Sequence, residues 1–140
     1  MQPQKLPIGY WIKQADNLLT AGIDAIHSNA GITRTGWQVL NSIHENGSLQ
    51  KAALFSLLSP FANEESLEQI LLKLTNDNLI EVKDDILFLT SGGKKLHQEC
   101  FEQQKAFRQK AISGITEMDY QVTVLTLQRI VENLKVQQPG

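Results

Sequence analysis

The chain has 140 residues and a mass of 15.7 kDa, which is enough for one compact domain with helical extensions. With 41% hydrophobic and 20% charged residues it can build a core, which excludes a disordered tail. The net charge of −2 gives no overall basic field that would attract nucleic acid or anionic lipid. A single cysteine excludes a disulfide framework and a four-cysteine zinc site. No apolar run approaches the ~20 residues of a membrane helix, and no signal-like stretch follows the first residues, so we expect a soluble, cytoplasmic protein without a membrane partner.

The first two predicted elements are helices. Apolar residues at spacings of three and four predict a long helix over Ile8–Asn29, and Gly31 is a suitable stop because glycine adopts positive φ at no cost. Thr33 is a suitable N-cap for a second helix that ends near Asn46.

The middle of the chain combines short helices with β-like runs. We predict a third helix over Ser48–Leu58 and a fourth over about Glu64–Asn76, capped by Asn63. The runs Leu79–Lys83 and Ile86–Leu89, with two aspartates between them, predict a β-hairpin.

Two long helices complete the predicted order. The fifth helix opens at Thr90 or Ser91 and runs to about Ser113. Thr116, in a sequence that resembles a capping box, begins a sixth helix that ends near Val136.

Two short helices followed by a hairpin are the layout of a winged helix-turn-helix. The first, fifth and sixth helices are too long and too apolar to be used up in covering that small core, which favours association with a second copy. We therefore predict a mainly α fold: a winged helix-turn-helix with long N- and C-terminal dimerisation helices and one short β-hairpin. Residues 1–140 would form a single domain, with residues 33–90 as its winged-helix part and residues 6–30 and 91–137 as its dimerisation helices.

Three segments carry a resemblance to a known family. Gly31–Leu40, Leu74–Ile80 and Leu89–Gly93 are similar in content and spacing to the MarR family of bacterial transcriptional regulators. The resemblance implies a homodimer formed through the first, fifth and sixth helices. It also implies binding of double-stranded DNA by the fourth helix and the wing, often under the control of a small aromatic or lipophilic effector.

The resemblance also implies roles for polar side chains around the fourth helix. Glutamine can pair with adenine, serine can donate or accept, and lysine and arginine contact phosphates. The candidate base contacts are Asn63, Ser66 and Gln69. The candidate phosphate contacts are Arg34, Lys51, Lys73 and Lys83.

Charge in the same region favours an alternative function. The hairpin tip is reduced to Lys83-Asp84-Asp85, so it offers no arginine to a minor groove. Residues 48–90 contain three lysines against seven carboxylates, a net charge of −4 where phosphates would lie. The alternative is a degenerate winged-helix dimer without DNA binding, acting as a protein-interaction or ligand-sensing module.

Chemistry other than binding finds little support. The pair His97 and Cys100 shares one helical face but lacks the third and fourth ligands of a zinc site, and no catalytic motif occurs, so we expect neither an enzyme nor a metal or cofactor. Aromatic side chains of the first, second and fifth helices are candidates for lining an effector pocket. These are Tyr10, Trp11, Trp37, His44 and Phe101.

Overall fold

A computed structural model describes residues 5–136 as helices joined by short turns and a small sheet. The elements in chain order are α1 (Ile8–Asn29), α2 (Arg34–Asn46), β1 (Leu49–Gln50), α3 (Lys51–Leu58), α4 (Glu64–Asn76), β2 (Ile80–Lys83), β3 (Ile86–Leu89), α5 (Ser91–Ala111) and α6 (Glu117–Val136). This order confirms the mainly α, winged helix-turn-helix fold.

The chain forms two compact units that divide between Phe107 and Arg108. The organisation of residues 1–140 as one domain stays a prediction, and residues 1–4 and 137–140 of that range lie outside the described part. Within residues 5–136, no helix combines the length and the apolar character that crossing a bilayer requires.

Four helices begin with side-chain caps at the positions that the sequence predicted. Each capping residue accepts a hydrogen bond from the backbone N–H three residues ahead, at 2.8–3.0 Å, and the four are Thr33, Asn63, Thr90 and Thr116. These bonds satisfy N–H groups that have no partner within the first turn of a helix, and so they fix where α2, α4, α5 and α6 begin.

The sheet is larger than the predicted hairpin. It has three antiparallel strands in the order β1-β3-β2, because Leu49 of β1 pairs with Leu87 of β3. As a result the third helix begins at Lys51 and not at the predicted Ser48. The Lys51 N–H donates to the carbonyl oxygen of Asp85 at 2.8 Å, so the tip of the hairpin provides the cap that α3 lacks in its own side chains.

The hairpin turn is formed by two aspartates in an unusual conformation. Asp84 and Asp85 have φ values of 53° and 62°, which is the left-handed region required at both central residues of a type I′ turn. Aspartate tolerates this region better than most residues because its side chain can bond locally. The predicted turn is therefore confirmed, although neither position is glycine.

The start of α5 lies directly on the backbone that precedes β2. The Thr90 N–H donates to the Leu79 carbonyl oxygen at 3.1 Å, and the Thr90 hydroxyl donates to the Asn78 carbonyl oxygen at 2.6 Å. A methyl group at Gly93 would overlap the same Leu79 oxygen. The second glycine of Leu89–Gly93 is thus required by this close approach.

The core lies between α2, α3, α4 and the sheet. Its apolar residues are less than a tenth exposed and include leucines of every one of these helices. They are Ile32, Val39, Leu40, Ile43, Leu54, Leu58, Leu67, Leu71, Leu74, Ile80, Leu87 and Cys100. In contrast, the one buried side chain of α1 is His27, and α6 buries none of the residues 117–135.

Candidate nucleic-acid interface

Helix α4 has one apolar face and one polar face, as a recognition helix requires. Leu67, Leu71 and Leu74 are buried against the core, as predicted. At 100° per residue, the side turned farthest from these leucines carries Glu65, Gln69 and other exposed residues. This outward face is the surface of α4 that a duplex would meet.

The three candidate base contacts are all exposed but differ in position. Gln69 lies on the outward face, whereas Ser66 is turned toward a cleft of about 300 Å³ that Ser66 and Gln69 line together with Thr33 and Lys73. Asn63 uses its Oδ1 atom to cap α4, which leaves its amide N–H₂ group for a base or phosphate. Their roles in DNA contact stay predictions.

Sequence reasoning missed Leu72 on the same outward face. Its side chain is 62% exposed, and it lies three residues from Gln69, on the side of α4 opposite the buried leucines. The helical spacing alone carried this signal, since Leu72 falls outside the stripe formed by Leu67, Leu71 and Leu74.

The four candidate phosphate contacts are each held by a carboxylate of the same chain. Arg34 contacts Asp24 at 2.9 Å, Lys51 contacts Glu68 at 2.6 Å, and Lys73 contacts Asp77 at 2.8 Å. Lys83 is 3.8 Å from Glu81. Within residues 5–136 these are all the ion pairs between side chains, so every cation predicted to bind phosphate already has an acidic neighbour.

This pairing leaves four carboxylates of residues 48–90 in excess. Within the described residues, Glu64, Glu65, Asp84 and Asp85 have no cationic side chain within 4.0 Å. They lie at the first turn of α4 and at the hairpin tip, the two places that face a duplex in a winged helix. The electrostatic surface there repels phosphate unless the lysines exchange partners.

Four aromatic rings of α2 and α5 stack on one another. The ring centroid of His97 lies 3.9 Å from that of His44, 4.7 Å from Trp37 and 6.4 Å from Phe101, with interplanar angles of 11–20°. His27 of α1 stacks on Trp37 at 5.6 Å. This ring stack therefore joins α1, α2 and α5 at one point.

The predicted effector-pocket residues divide into two groups. Trp37, His44 and Phe101 belong to the ring stack, whereas Tyr10 and Trp11 contact each other near the start of α1 with centroids 4.9 Å apart. His27 follows Trp11 by sixteen positions along α1, a rise of about 24 Å. The five residues do not line one pocket within a single chain.

Two buried histidines in the stack, His27 and His97, were not among the predicted site residues. Nε2 of His97 lies 2.9 Å from the Asn41 side-chain oxygen, and the Gln104 amide donates to Nε2 of His27 at 2.9 Å. Nδ1 of His27 therefore carries the proton and has no hydrogen-bond partner among the described residues. His97 was noted in sequence only for its spacing to Cys100, and its position four residues before Phe101 was the available signal for the stack.

Burial lowers the pKa of both histidines. For His27 the loss of hydration is the main cause, and Arg34 adds to it while Asp24 opposes it. For His97 the loss of hydration is again the main cause, and the neighbouring His44 adds to it while Glu45 opposes it. Both rings are therefore neutral at pH 7.

Cys100 is buried, and burial, with a smaller contribution from Glu99, raises the pKa of its thiol. A raised pKa disfavours the reactive thiolate, so this cysteine acts as a small apolar core residue. Within residues 5–136, no three His, Cys, Asp or Glu side chains come together in a group that would hold a metal ion.

Comparison with known proteins shows the fold. No family model and no curated protein sequence matches the chain. Among solved structures, YusO from Bacillus subtilis superimposes with a TM-score of 0.74 at 17% identity, covering 89% of this chain and 92% of that one. A MarR family protein of Mycobacterium tuberculosis in complex with DNA gives 0.70 at 18% identity, covering 90% and 98%. A mutant MarR from E. coli complexed with operator DNA gives 0.66 at 18% identity, covering 91% and 95%. These matches confirm the winged helix-turn-helix and the resemblance to the MarR family at the level of the fold.

Proposed function

We propose that this protein is a cytoplasmic, homodimeric transcriptional regulator that binds double-stranded DNA through α4. The observation that carries the proposal is the shared fold over about nine tenths of the chain, because two of the similar structures hold DNA. The exposed polar face of α4 and its side-chain cap at Asn63 are consistent with this role. No reaction is part of the proposal.

The exposed apolar residues of the terminal helices support the dimer. Trp11, Leu18 and Leu19 of α1 are each more than two fifths exposed. On α6, Met118, Val122 and further apolar residues are at least half exposed. Burying apolar surface is favourable by about 25 cal/mol for each Å², so these helices gain free energy when a partner covers them. A second copy of the same chain is a partner that is always present.

In the proposed complex, the two α4 helices of the dimer enter the major groove about one helical turn apart. Gln69, Ser66 and Asn63 contact base edges, and Arg34, Lys51, Lys73 and Lys83 contact phosphates. Each of these cations must leave its carboxylate first. Exposed ion pairs stabilise a protein by only about 0–1 kcal/mol, so phosphate oxygens can replace them.

Control by an effector is part of this proposal. A small aromatic or lipophilic ligand would bind beside Trp37, His44 and Phe101, where α1, α2 and α5 meet. Repacking of the ring stack would change the tilt of the winged helix relative to α5 and so the spacing of the two α4 helices. Because Tyr10 and Trp11 lie far from the ring stack of their own chain, they would contact the ligand only if they came from the second copy of the dimer.

The ion-pair pattern supports a second candidate, a winged-helix dimer that does not bind DNA and serves as a protein-interaction or ligand-sensing module. With Lys51, Lys73 and Lys83 paired, residues 48–90 present four uncompensated carboxylates and no uncompensated lysine. Base contacts without phosphate contacts are rare in protein–DNA complexes.

Binding to mixed genomic duplex at different salt concentrations separates the two candidates. The regulator should bind weakly at low salt, and its affinity should fall between about 50 and 200 mM salt with a log–log slope of about −0.9 per phosphate contact. Glu68→Gln should strengthen binding because it frees Lys51, whereas Glu102→Gln on α5 is the matched control with the same charge change. Absence of binding at the lowest salt by both wild type and Glu68→Gln would favour the module without DNA binding.

A further inference from the structure

A groove with an apolar floor runs along the outer side of α3. Two adjoining hollows of about 500 and 600 Å³ share Ala52 and Phe55 in their linings. Ile86 of β3 completes the floor of the first hollow, and Ala62 and Leu67 complete that of the second. Each volume is in the range that accommodates several side chains of a ligand.

Carboxylates lie at both ends of this groove. Asp84 and Asp85 line the first hollow, and Glu64 lines the second. All three belong to the carboxylates of residues 48–90 that have no cationic side chain of the described residues within 4.0 Å. The groove therefore has an apolar middle between two uncompensated aspartates at one end and the uncompensated Glu64 at the other.

Lys51 is the one cationic residue in the described lining of the groove, and it already forms an ion pair. Nζ of Lys51 contacts Glu68 at 2.6 Å and lies 5.7 Å from the centre of the Phe55 ring. The hairpin tip is fixed to α3 by the hydrogen bond from the Lys51 N–H to Asp85. The backbone that carries the two aspartates is thus held beside α3 before any partner arrives, which lowers the entropic cost of binding.

We propose that the α3 groove docks a basic peptide segment of another protein, in which apolar residues contact Phe55 and flanking lysines or arginines contact the two acidic ends. Charge complementarity favours such a segment over nucleic acid, because phosphates in the groove would meet Asp84, Asp85 and Glu64. Peptide docking does not depend on DNA binding. If α4 binds DNA as well, the two ligands compete, since both occupy the side of the winged helix that carries the hairpin tip and the start of α4.

A labelled synthetic peptide tests this site directly. It has about 12 residues, with Lys-Arg pairs on both sides of a Leu-Phe-Leu core, so that it spans the eight-residue helix α3. We expect saturable binding by fluorescence anisotropy, and shifts of the backbone amide signals of Ala52, Phe55 and Asp85 in NMR spectra. A peptide with serine in place of the apolar core should bind at least about tenfold more weakly.

Charge variants identify the ends of the groove. Asp84→Asn/Asp85→Asn preserves the left-handed turn, because asparagine also tolerates positive φ, and should weaken binding by about tenfold at low salt. Glu99→Gln/Glu102→Gln on α5 removes the same charge and should change the affinity by less than about twofold. Equal weakening by both double variants, or equal binding of the serine-core peptide, would reduce the interaction to general attraction between a polycation and an acidic protein and would overturn the proposal.

The same samples keep this inference separate from the proposed function. Peptide binding without DNA binding supports the groove and contradicts the DNA-binding regulator. DNA binding without peptide binding supports the regulator and contradicts the groove. Binding of both, with displacement of duplex by peptide, supports both and places the two ligands on one side of the winged helix.

Discussion

The winged-helix part and the terminal helices use the same kind of apolar pattern with opposite results. In α2, α3 and α4 the apolar stripes are buried, down to zero exposure at Val39, Leu40 and Leu54, and Leu57 of α3 is an exception at 53% exposure. In α6 the same kind of stripe leaves Leu125 and Leu134 more than half exposed, and α1 buries only His27. A regular apolar stripe therefore predicts that a helix has a partner, but it does not tell whether that partner belongs to the same chain.

The largest effect expected from this contrast is a cavity in the core. Leu40→Ala removes a fully buried side chain and should lower the free energy of unfolding by about 2–5 kcal/mol. Leu72→Ala is the matched control, because Leu72 is 62% exposed and its removal should change stability by less than about 0.5 kcal/mol. Urea unfolding followed by circular dichroism measures both. A similar decrease in the free energy of unfolding for both variants would show that the core is not formed by the residues that are buried in this structure.

The next prediction concerns His27 and His97, which connect α1 and α5 to the core of the winged helix. Because the pKa of both rings is lowered in the folded chain, the unfolded chain binds protons at a higher pH than the folded chain does. Above pH 6.5, the ordinary pKa of histidine, the two neutral rings make their full contribution to the free energy of unfolding. This contribution is lost as the pH falls from 6.5 toward the lowered pKa of the folded state.

Urea midpoints measured from about pH 7.5 down to 5.5 should therefore fall in the wild type. The double variant His27→Gln/His97→Gln should show a flatter dependence on pH over the same range, whatever its stability at pH 7.5. An equally steep fall in the double variant would assign the pH dependence to other groups.

A smaller effect distinguishes matched helix caps in the two regions. Thr33→Ala removes the cap of α2 and should lower the free energy of unfolding by about 0.5–2 kcal/mol, with Thr33→Ser restoring most of the loss. Thr116→Ala removes the equivalent cap of α6. Its effect should appear as faster amide exchange in α6, with exchange in the core of the winged helix unchanged. Faster exchange in both regions after either substitution would mean that they unfold together.

Most of the fold could be predicted because its signals are local. Thr33 and Asn63 cap helices through the residue three positions ahead, and Asp84-Asp85 joins two apolar runs at the right distance. Strand β1 was missed because two residues carry no alternation, and its pairing depends on where β3 lies in space.

Much less of the candidate site could be predicted. The sequence identifies Lys51 as a cation, but only the tertiary fold brings Glu68 of α4 to it from seventeen positions away. Likewise His27, Trp37 and His97 come from three different helices, so no local sequence pattern predicts that their rings stack. Residue types could be read from the sequence, whereas the partners that determine their charge and availability are set by tertiary structure.

The mass of the protein in solution tests most directly whether a second copy covers the terminal helices. Sedimentation equilibrium should give twice 15.7 kDa, and Val122→Glu/Leu125→Glu on α6 should reduce the mass to that of one chain while the helical circular dichroism signal is retained. A fully helical wild-type protein that remains a single chain of 15.7 kDa at concentrations up to about 100 μM would contradict the account.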